Sequence, residues 1–329
     1  VEAEADVVNL KGEATRASDY NRTAMVEQQG FQCGTRYFRD EAEYRYGREL
    51  RAVSFSEWYG GREASWSLTD NRYTSNAAAA LFPDFYLELR DADEKPVGYL
   101  HTAPGFWSGD IESLPNFDHV VKTLNLRQRE RLAAGLKYTL WHEWLGRPER
   151  FEQFARPLRA RRQSQANAVL LLAMMVDPER RRHKLPTLLL NAAKDSARRL
   201  GYPYVMAPFR PSHYGDFKME RRAAHSEALF REYYAAQTAE GLPLDPWLRN
   251  VVRQGATLVK PEMRSVSFTR SIDTFNDFRQ KHRPNDWYSP ATDVWECGET
   301  CTWYIDRVQQ TVTSWEPNCW GVIDVSPAT

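Results

Sequence analysis

The chain of 329 residues lacks a net charge: 44 Lys and Arg are matched by 44 Asp and Glu. A protein that captures nucleic acid or acidic lipid over its whole surface carries a basic excess, so DNA and membranes are not expected partners. Long apolar runs are missing too. The longest, Ala168 to Val176, has nine residues, whereas a membrane-crossing helix needs roughly 20. The first residues show no succession of basic stretch, apolar segment and cleavage site, so a cytoplasmic chain is expected. Cysteine is scarce, with four at 33, 297, 301 and 319. A chain of this size does not need disulfides, and four thiols suit a reducing compartment. Cys297, Cys301, Cys319 and His282 include no second closely spaced pair, so no metal is expected. Lysine is also rare, nine against 35 Arg. No fixed-period repeat and no Gly/Ser or Pro linker marks a domain boundary.

What is present suffices for a sizeable core: 42% hydrophobic and 13% aromatic residues. The first 50 residues mix charge and aromatics without period and read as a helical or irregular arm. Residues 51–329 read as one domain. Phe85–Arg90 and Val97–Thr102, separated by Asp91–Lys95, predict an antiparallel hairpin. From His119 to Arg162, leucines and tryptophans recur at helical spacing, which predicts a helical insertion over about 119–165, with Arg156, Arg159, Arg161 and Arg162 on its solvent side.

The best-defined unit follows. Ala168–Val176 is continuously apolar and ends at Asp177-Pro178, as a strand buried on both faces does. Leu185, Leu188, Leu189, Ala192, Ala193, Ala197 and Leu200 share one helical face, and Gly201 suits the end of that helix. Tyr202–Ala207 is a second short strand. Strand, helix and strand in this span predict a parallel βαβ unit at 168–207. Farther on, the pattern predicts a helix at 223–238, strands at 256–259 and 264–268, a helix at 274–281, and strands at 300–304 and 308–313. Trp287, Trp295, Trp303, Trp315 and Trp320, with Tyr288 and Tyr304, are suited to a substrate pocket, a second core layer or a subunit contact.

The segment Val176-Asp-Pro178-Glu-Arg180-Arg-Arg-His-Lys184-Leu-Pro186 and the helix after it resemble the GNAT superfamily of acyl-CoA N-acyltransferases. Three later phrases strengthen the likeness to an uncharacterised bacterial branch: Ala207-Pro-Phe-Arg210-Pro-Ser212, Gly241-Leu-Pro-Leu-Asp245-Pro-Trp-Leu-Arg249 and Glu316-Pro-Asn318-Cys-Trp320. The resemblance implies an α/β (α+β) fold with a mixed, mostly antiparallel central sheet, the parallel unit at 168–207 and flanking helices. It also implies an enzyme that moves an acyl group from acyl-CoA to a small or amino-acid-like amine.

In that family, backbone N–H groups at a helix start hold a pyrophosphate, and glycines permit close approach. Here Lys184 and Pro186 stand at the two glycine positions. Lys184 adds a side chain and Pro186 lacks an N–H. The basic run Arg180, Arg181, Arg182, His183 and Lys184 is either a substitute cradle of side-chain cations or a solvated basic loop, with Met175 and Val176 as the expected neighbours of the donor. The alternative is a carrier-protein thioester or aminoacyl-tRNA as donor, or a non-catalytic binding module. Implied catalytic candidates are Tyr214 as acid, His213 as base and Glu316 as a second base. Arg210, Ser212, Asn318 and Trp320 are the substrate-binding candidates, Arg210 through a bidentate grip on a carboxylate. Monomer and homodimer both remain open.

Overall fold

The computed structural model describes residues 26–28, 31–35, 85–93, 96–114, 116–117, 153, 156–157, 160, 164–177, 180 and 184–327. Among these, eleven strands form one sheet. Strands β1 (Val26–Gln28), β2 (Phe31–Thr35), β3 (Tyr86–Arg90), β4 (Pro96–Gly105) and β5 (Ala168–Val176) follow one another in antiparallel order. Helix α1 (Leu185–Arg199) then carries the chain to β6 (Tyr204–Phe209), which pairs with β5 in parallel. This is the mixed, mostly antiparallel sheet with one parallel βαβ unit that the GNAT resemblance implies.

Helices α2 (Tyr214–Glu220), α3 (Glu227–Ala235) and α4 (Pro246–Arg253) lead to the long strand β7 (Ala256–Ser271). Helix α5 (Ile272–Lys281) and strands β8 (Tyr288–Ala291), β9 (Val294–Glu296), β10 (Thr302–Asp306) and β11 (Thr311–Asp324) complete the described fold. β11 pairs with β7 along most of its length. Its other edge is shared: Thr311–Trp315 face β10, and Cys319–Asp324 face β6.

Alternation sorts the side chains into two cores. On one face Val169, Leu171, Val205, Ala207, Phe209, Cys319 and Ile323 pack beneath α1, α3 and α4. Leu185, Leu188, Leu189, Ala192 and Ala193 supply the apolar stripe of α1. On the other face Leu170, Met206, Trp320 and Val322 pack with Leu114, Phe117 and the Phe275 and Phe278 side chains of α5. Trp303 is buried there and Trp287 packs edge-on to it at 4.9 Å. The second core layer is therefore where these two tryptophans lie.

Several sequence expectations need correction. Residues 26–28 and 31–35, expected in a helical or irregular arm, are strands that extend the sheet. Phe31 and Cys33 are buried there, an alternation too short to stand out in a polar segment. The two strands expected at 256–259 and 264–268 are one continuous strand, because Lys260, Pro261 and Glu262 stay paired to β11. Of the expected helix at 119–162, residues 153, 156–157 and 160 are helical and the rest lies outside the described residues. The four cysteines are buried and unpaired, and no metal-binding group occurs among the described residues.

A buried ion pair ties α2 to the C-terminal strands. Lys218 Nζ, wholly buried, lies 2.6 Å from Glu296 Oε2, and also donates to the Cys301 carbonyl at 2.9 Å, Thr302 Oγ1 at 3.0 Å and the Thr300 carbonyl at 3.2 Å. Glu296 Oε1 accepts from the His225 N–H at 3.2 Å. Burial still pushes the Glu296 carboxyl above its ordinary range. Lys218→Met leaves that carboxylate buried without its cation and should cost about 3–5 kcal/mol in urea denaturation. Adding Glu296→Leu should restore most of the loss; no recovery would show that the pair is not the unit of stability.

Candidate active site

The parallel pairing of β5 and β6 ends after three residue pairs, Ala168–Tyr204, Val169–Val205 and Leu170–Met206. Against β4, β5 carries an extra residue, Leu172, between the pairs Leu171–Thr102 and Ala173–His101. A bulge bends its strand and increases the local twist, and this one begins where the pairing with β6 stops. β5 then stays with β4 while β6 stays with β11, so the sheet splits. Residues 172–175, in the split half of β5, are only partly buried. Met175 accepts a hydrogen bond from the Tyr99 hydroxyl. Val176 is buried at the strand end.

Arg210 follows directly on β6 at the far end of the split. Its guanidinium contacts Glu316 Oε2 at 3.4 Å and Glu299 Oε2 at 3.5 Å, with Nε 3.3 Å from Thr300 Oγ1. Glu316 begins the stretch of β11 at 316–318 that has neither β6 nor β10 beside it. That gap is filled by Arg210, Pro211 and the 299–301 turn, with Cys301 Sγ 3.5 Å from Glu316 Oε2. Glu299 also meets His282 Nε2 at 3.4 Å and Arg283 at 3.5 Å. Although burial opposes it, the neighbouring His282 and the Arg210 cation hold its carboxyl below the usual range.

The turn is set by a backbone contact. A Cβ at Gly215 in α2 would stand 1.9 Å from the Gly298 carbonyl oxygen, and Gly298 itself has φ +73°. Two glycines thus let α2 press on the turn that carries Glu299 and Thr300.

Asp245 organises the neighbouring loop. Wholly buried, its carboxylate accepts the N–H groups of Trp247, Leu248 and His213 at 2.9 Å each and the Tyr233 hydroxyl at 2.8 Å. It caps α4 and pins the start of α2. The sequence carries the signal for this in Asp245-Pro246, a capping residue before a proline at the first helical position.

The expected site residues therefore separate. Arg210 and Glu316 come together, and Asn318 and Trp320 are buried on β11 beside them. Arg210 already faces two carboxylates, which does not match the free carboxylate grip expected of it. Ser212 and His213 are exposed at the start of α2, Ser212 Oγ lying 3.3 Å from Asp245. Tyr214 is fully buried, its hydroxyl 2.9 Å from His225 Nδ1, and burial beside Glu296 pushes it far above the ordinary tyrosine range. Arg180 is 3.4 Å from Asp91. Arg181, Arg182 and His183 lie outside the described residues. Glu299 and His225 escape the sequence reading because their partners are distant in sequence, and Asp245 is legible there only as a helix cap.

Lys184 precedes α1 with φ 57° and ψ 25°, the left-handed region, and makes no side-chain cap. Pro186 occupies the first turn. The backbone thus keeps a glycine-like conformation where the resembled family has glycine.

No protein-family model matches the chain, and no curated protein matches it either. Among solved structures it is similar to the loading GNATL domain of CurA from Lyngbya majuscula, at 15% identity over 84% of this chain and 94% of that one, TM-score 0.43. A GphF GNAT-like decarboxylase in complex with isobutyryl-CoA is 15% identical over 85% and 96%, TM-score 0.42. An aminoglycoside 6'-N-acetyltransferase complexed with coenzyme A is 10% identical over 90% and 98%, TM-score 0.40. At such distances the chemistry has to be argued from the residues of this chain.

Two outcomes follow from the geometry. Left-handed backbone costs a non-glycine residue about 1 kcal/mol or more, so Lys184→Gly should raise stability by about 0.5–1 kcal/mol; an unchanged or lower melting temperature would contradict the strain. His225, desolvated and near Lys218, has its pKa lowered from 6.5 to about 4. The folded state therefore refuses a proton that the unfolded state binds below pH 6.5. The His225 contribution is fully present above pH 6.5 and is lost as pH falls toward 4, up to about 3 kcal/mol. His225→Asn, which keeps an acceptor for Tyr214, should flatten that part of the stability–pH curve.

Proposed function

We propose that this chain transfers an acyl group from a thioester lodged in the split between β5 and β6 to the amine of a small or amino-acid-like acceptor. The observation that carries this is the early end of the β5–β6 pairing at the Leu172 bulge, with Arg210 and Glu316 at the far end of the opening. Among the described residues, the edge of β5 that faced β6 has no strand partner beyond Leu170. Peptide groups there need a hydrogen-bonding partner, and an extended thioester arm with its own amides supplies one. The amine nitrogen attacks the thioester carbonyl carbon, the new C–N bond forms and the C–S bond breaks. Glu316 takes the proton released from the amine, and the thiolate leaves to be protonated. Arg210, 3.4 Å away, holds the Glu316 carboxylate in place.

A second reading concerns the donor. Lys184 projects a side chain at the helix start, and Pro186 removes an N–H from it. This favours a donor that does not rely on a backbone pyrophosphate cradle, such as a carrier-protein thioester or an aminoacyl-tRNA. Comparing acyl-CoA with the same acyl-pantetheine separates the two. Free CoA as donor requires the CoA ester to bind at least about tenfold tighter, whereas equal affinity supports the second reading.

Glu316→Gln should lower amine-dependent thiol release by about 10²–10⁴-fold while donor affinity by calorimetry stays unchanged. If neither thioester binds at millimolar concentration, the acyl-transfer reading falls. If Glu316→Gln releases thiol at the wild-type rate, Glu316 is not the base.

A further inference from the structure

Glu316, Asn318 and Trp320 alternate along β11, and therefore share the sheet face that carries the second core. Two polar atoms on this row have no partner. Asn318 Oδ1 and Trp320 Nε1 are both shut off from solvent and neither makes a hydrogen bond. Their residues are 3% and 0% exposed. A buried unsatisfied polar atom disfavours folding, and native proteins keep few of them. Here an orphan acceptor and an orphan donor stand two residues apart on one strand, next to the Arg210–Glu316 pair.

The charges around them are already offset. Asn318 pairs across β7 with Glu262, and Trp320 with Lys260. Lys260 Nζ donates to the Leu114 carbonyl at 2.7 Å and lies 3.8 Å from Glu262. Arg210 faces Glu316 and Glu299, and Glu299 also meets Arg283. The unmet demand in this row is for hydrogen bonds and not for charge.

We infer that Asn318 and Trp320 form a subsite for a neutral amide: the ligand N–H donates to Asn318, and its carbonyl accepts from the Trp320 indole. One carboxamide supplies both groups, and it matches the Asn318 side-chain amide in either orientation. The amide belongs either to the acyl acceptor, as an amino-acid amide or peptide amine, or to the pantetheine arm of the thioester. This placement rests on the acyl-transfer reading for its neighbours, but its recognition chemistry does not.

The test uses the full chain, 15N-labelled at tryptophan, with no thioester present. The Trp320 indole N–H signal is identified by its loss in Trp320→Phe. Titration with alaninamide or with pantetheine should move that signal downfield, and the compound that does so names the source of the amide. Alanine and propylamine, which lack an amide, should leave it in place. Asn318→Leu should weaken amide binding at least about tenfold, with a melting temperature equal to or above wild type because an orphan atom has been removed. The inference is overturned if neither amide moves the signal, if alanine or propylamine moves it equally, or if Asn318→Leu binds as wild type does. Should Asn318→Leu fail to fold, the wild-type titrations decide alone; should Trp320→Phe fail to fold, Trp320→Tyr assigns the signal. Because thiol release is measured separately, acyl transfer and the amide subsite can fail independently.

Discussion

The short parallel contact between β5 and β6 is the constraint on which the rest depends. Three residue pairs join the β1–β5 part of the sheet to the part built on β11. Had the pairing run the nine residues of β5, the peptide edges would satisfy each other and the sheet would offer nothing to a ligand. The Leu172 bulge prevents this by bending β5 after its buried first half. On the other side, β6 is held to β11 by six residue pairs, so it cannot follow β5 as it turns away. The opening is thus produced by each strand keeping its antiparallel neighbour.

β11 repeats this logic at its own edge. It serves β10 with its first residues and β6 with its last, and leaves 316–318 to neither. Charge collects at that interruption. Arginine, unusually abundant in the chain, acts here through internal pairing: Arg210 between Glu299 and Glu316, and Arg180 against Asp91. Elsewhere it stacks on rings, Arg264 3.6 Å from the Trp315 centroid and Arg279 3.8 Å from that of Trp295. Where a compact cation must be wholly enclosed, the chain uses Lys218, whose three N–H groups converge on Glu296 and the acceptors beside it. The zero net charge of the sequence is therefore resolved, among the described residues, into local pairs that order the site.

What the sequence made legible follows from the range of each interaction. The strand at 168–176 and the helix from 185 match the expected bounds closely, because continuous apolarity and a helical stripe are local signals of burial. β7 was read as two pieces because Lys260, Glu262 and Arg264 interrupt apolarity, yet pairing to β11 overrides that local signal. At the site, Arg210 and Glu316 were legible as residue types in distinctive phrases. Their mutual contact was not, since 106 positions of chain separate them. Tyr214 looked like an acid because its phrase ends a parallel strand, and only the tertiary packing shows its hydroxyl turned to His225. Glu299 and Asp245 gave little warning. One lies in a glycine-flanked turn, and the other announces itself only as a helix cap.

The loop before α1 carries the last step. A left-handed residue at a helix start is the conformation that glycine adopts without cost, and Lys184 adopts it with none of that freedom. Neither the side chain nor Pro186 favours this geometry for phosphate binding, because one adds bulk and the other removes a donor. The geometry is instead enforced from both sides: Asp177 N–H is held by the Val97 carbonyl, and Thr187 and Leu188 turn back onto the Lys184 carbonyl. Backbone shape here is a property of strand and helix packing, and it stands without the glycine that would allow close approach. On the proposed acyl-transfer reading, the donor is then held mainly by the split strands and by side chains. That shifts the weight of recognition from the pyrophosphate end of a thioester to its amide-bearing arm and acyl end, the region where β11 presents Glu316, Asn318 and Trp320.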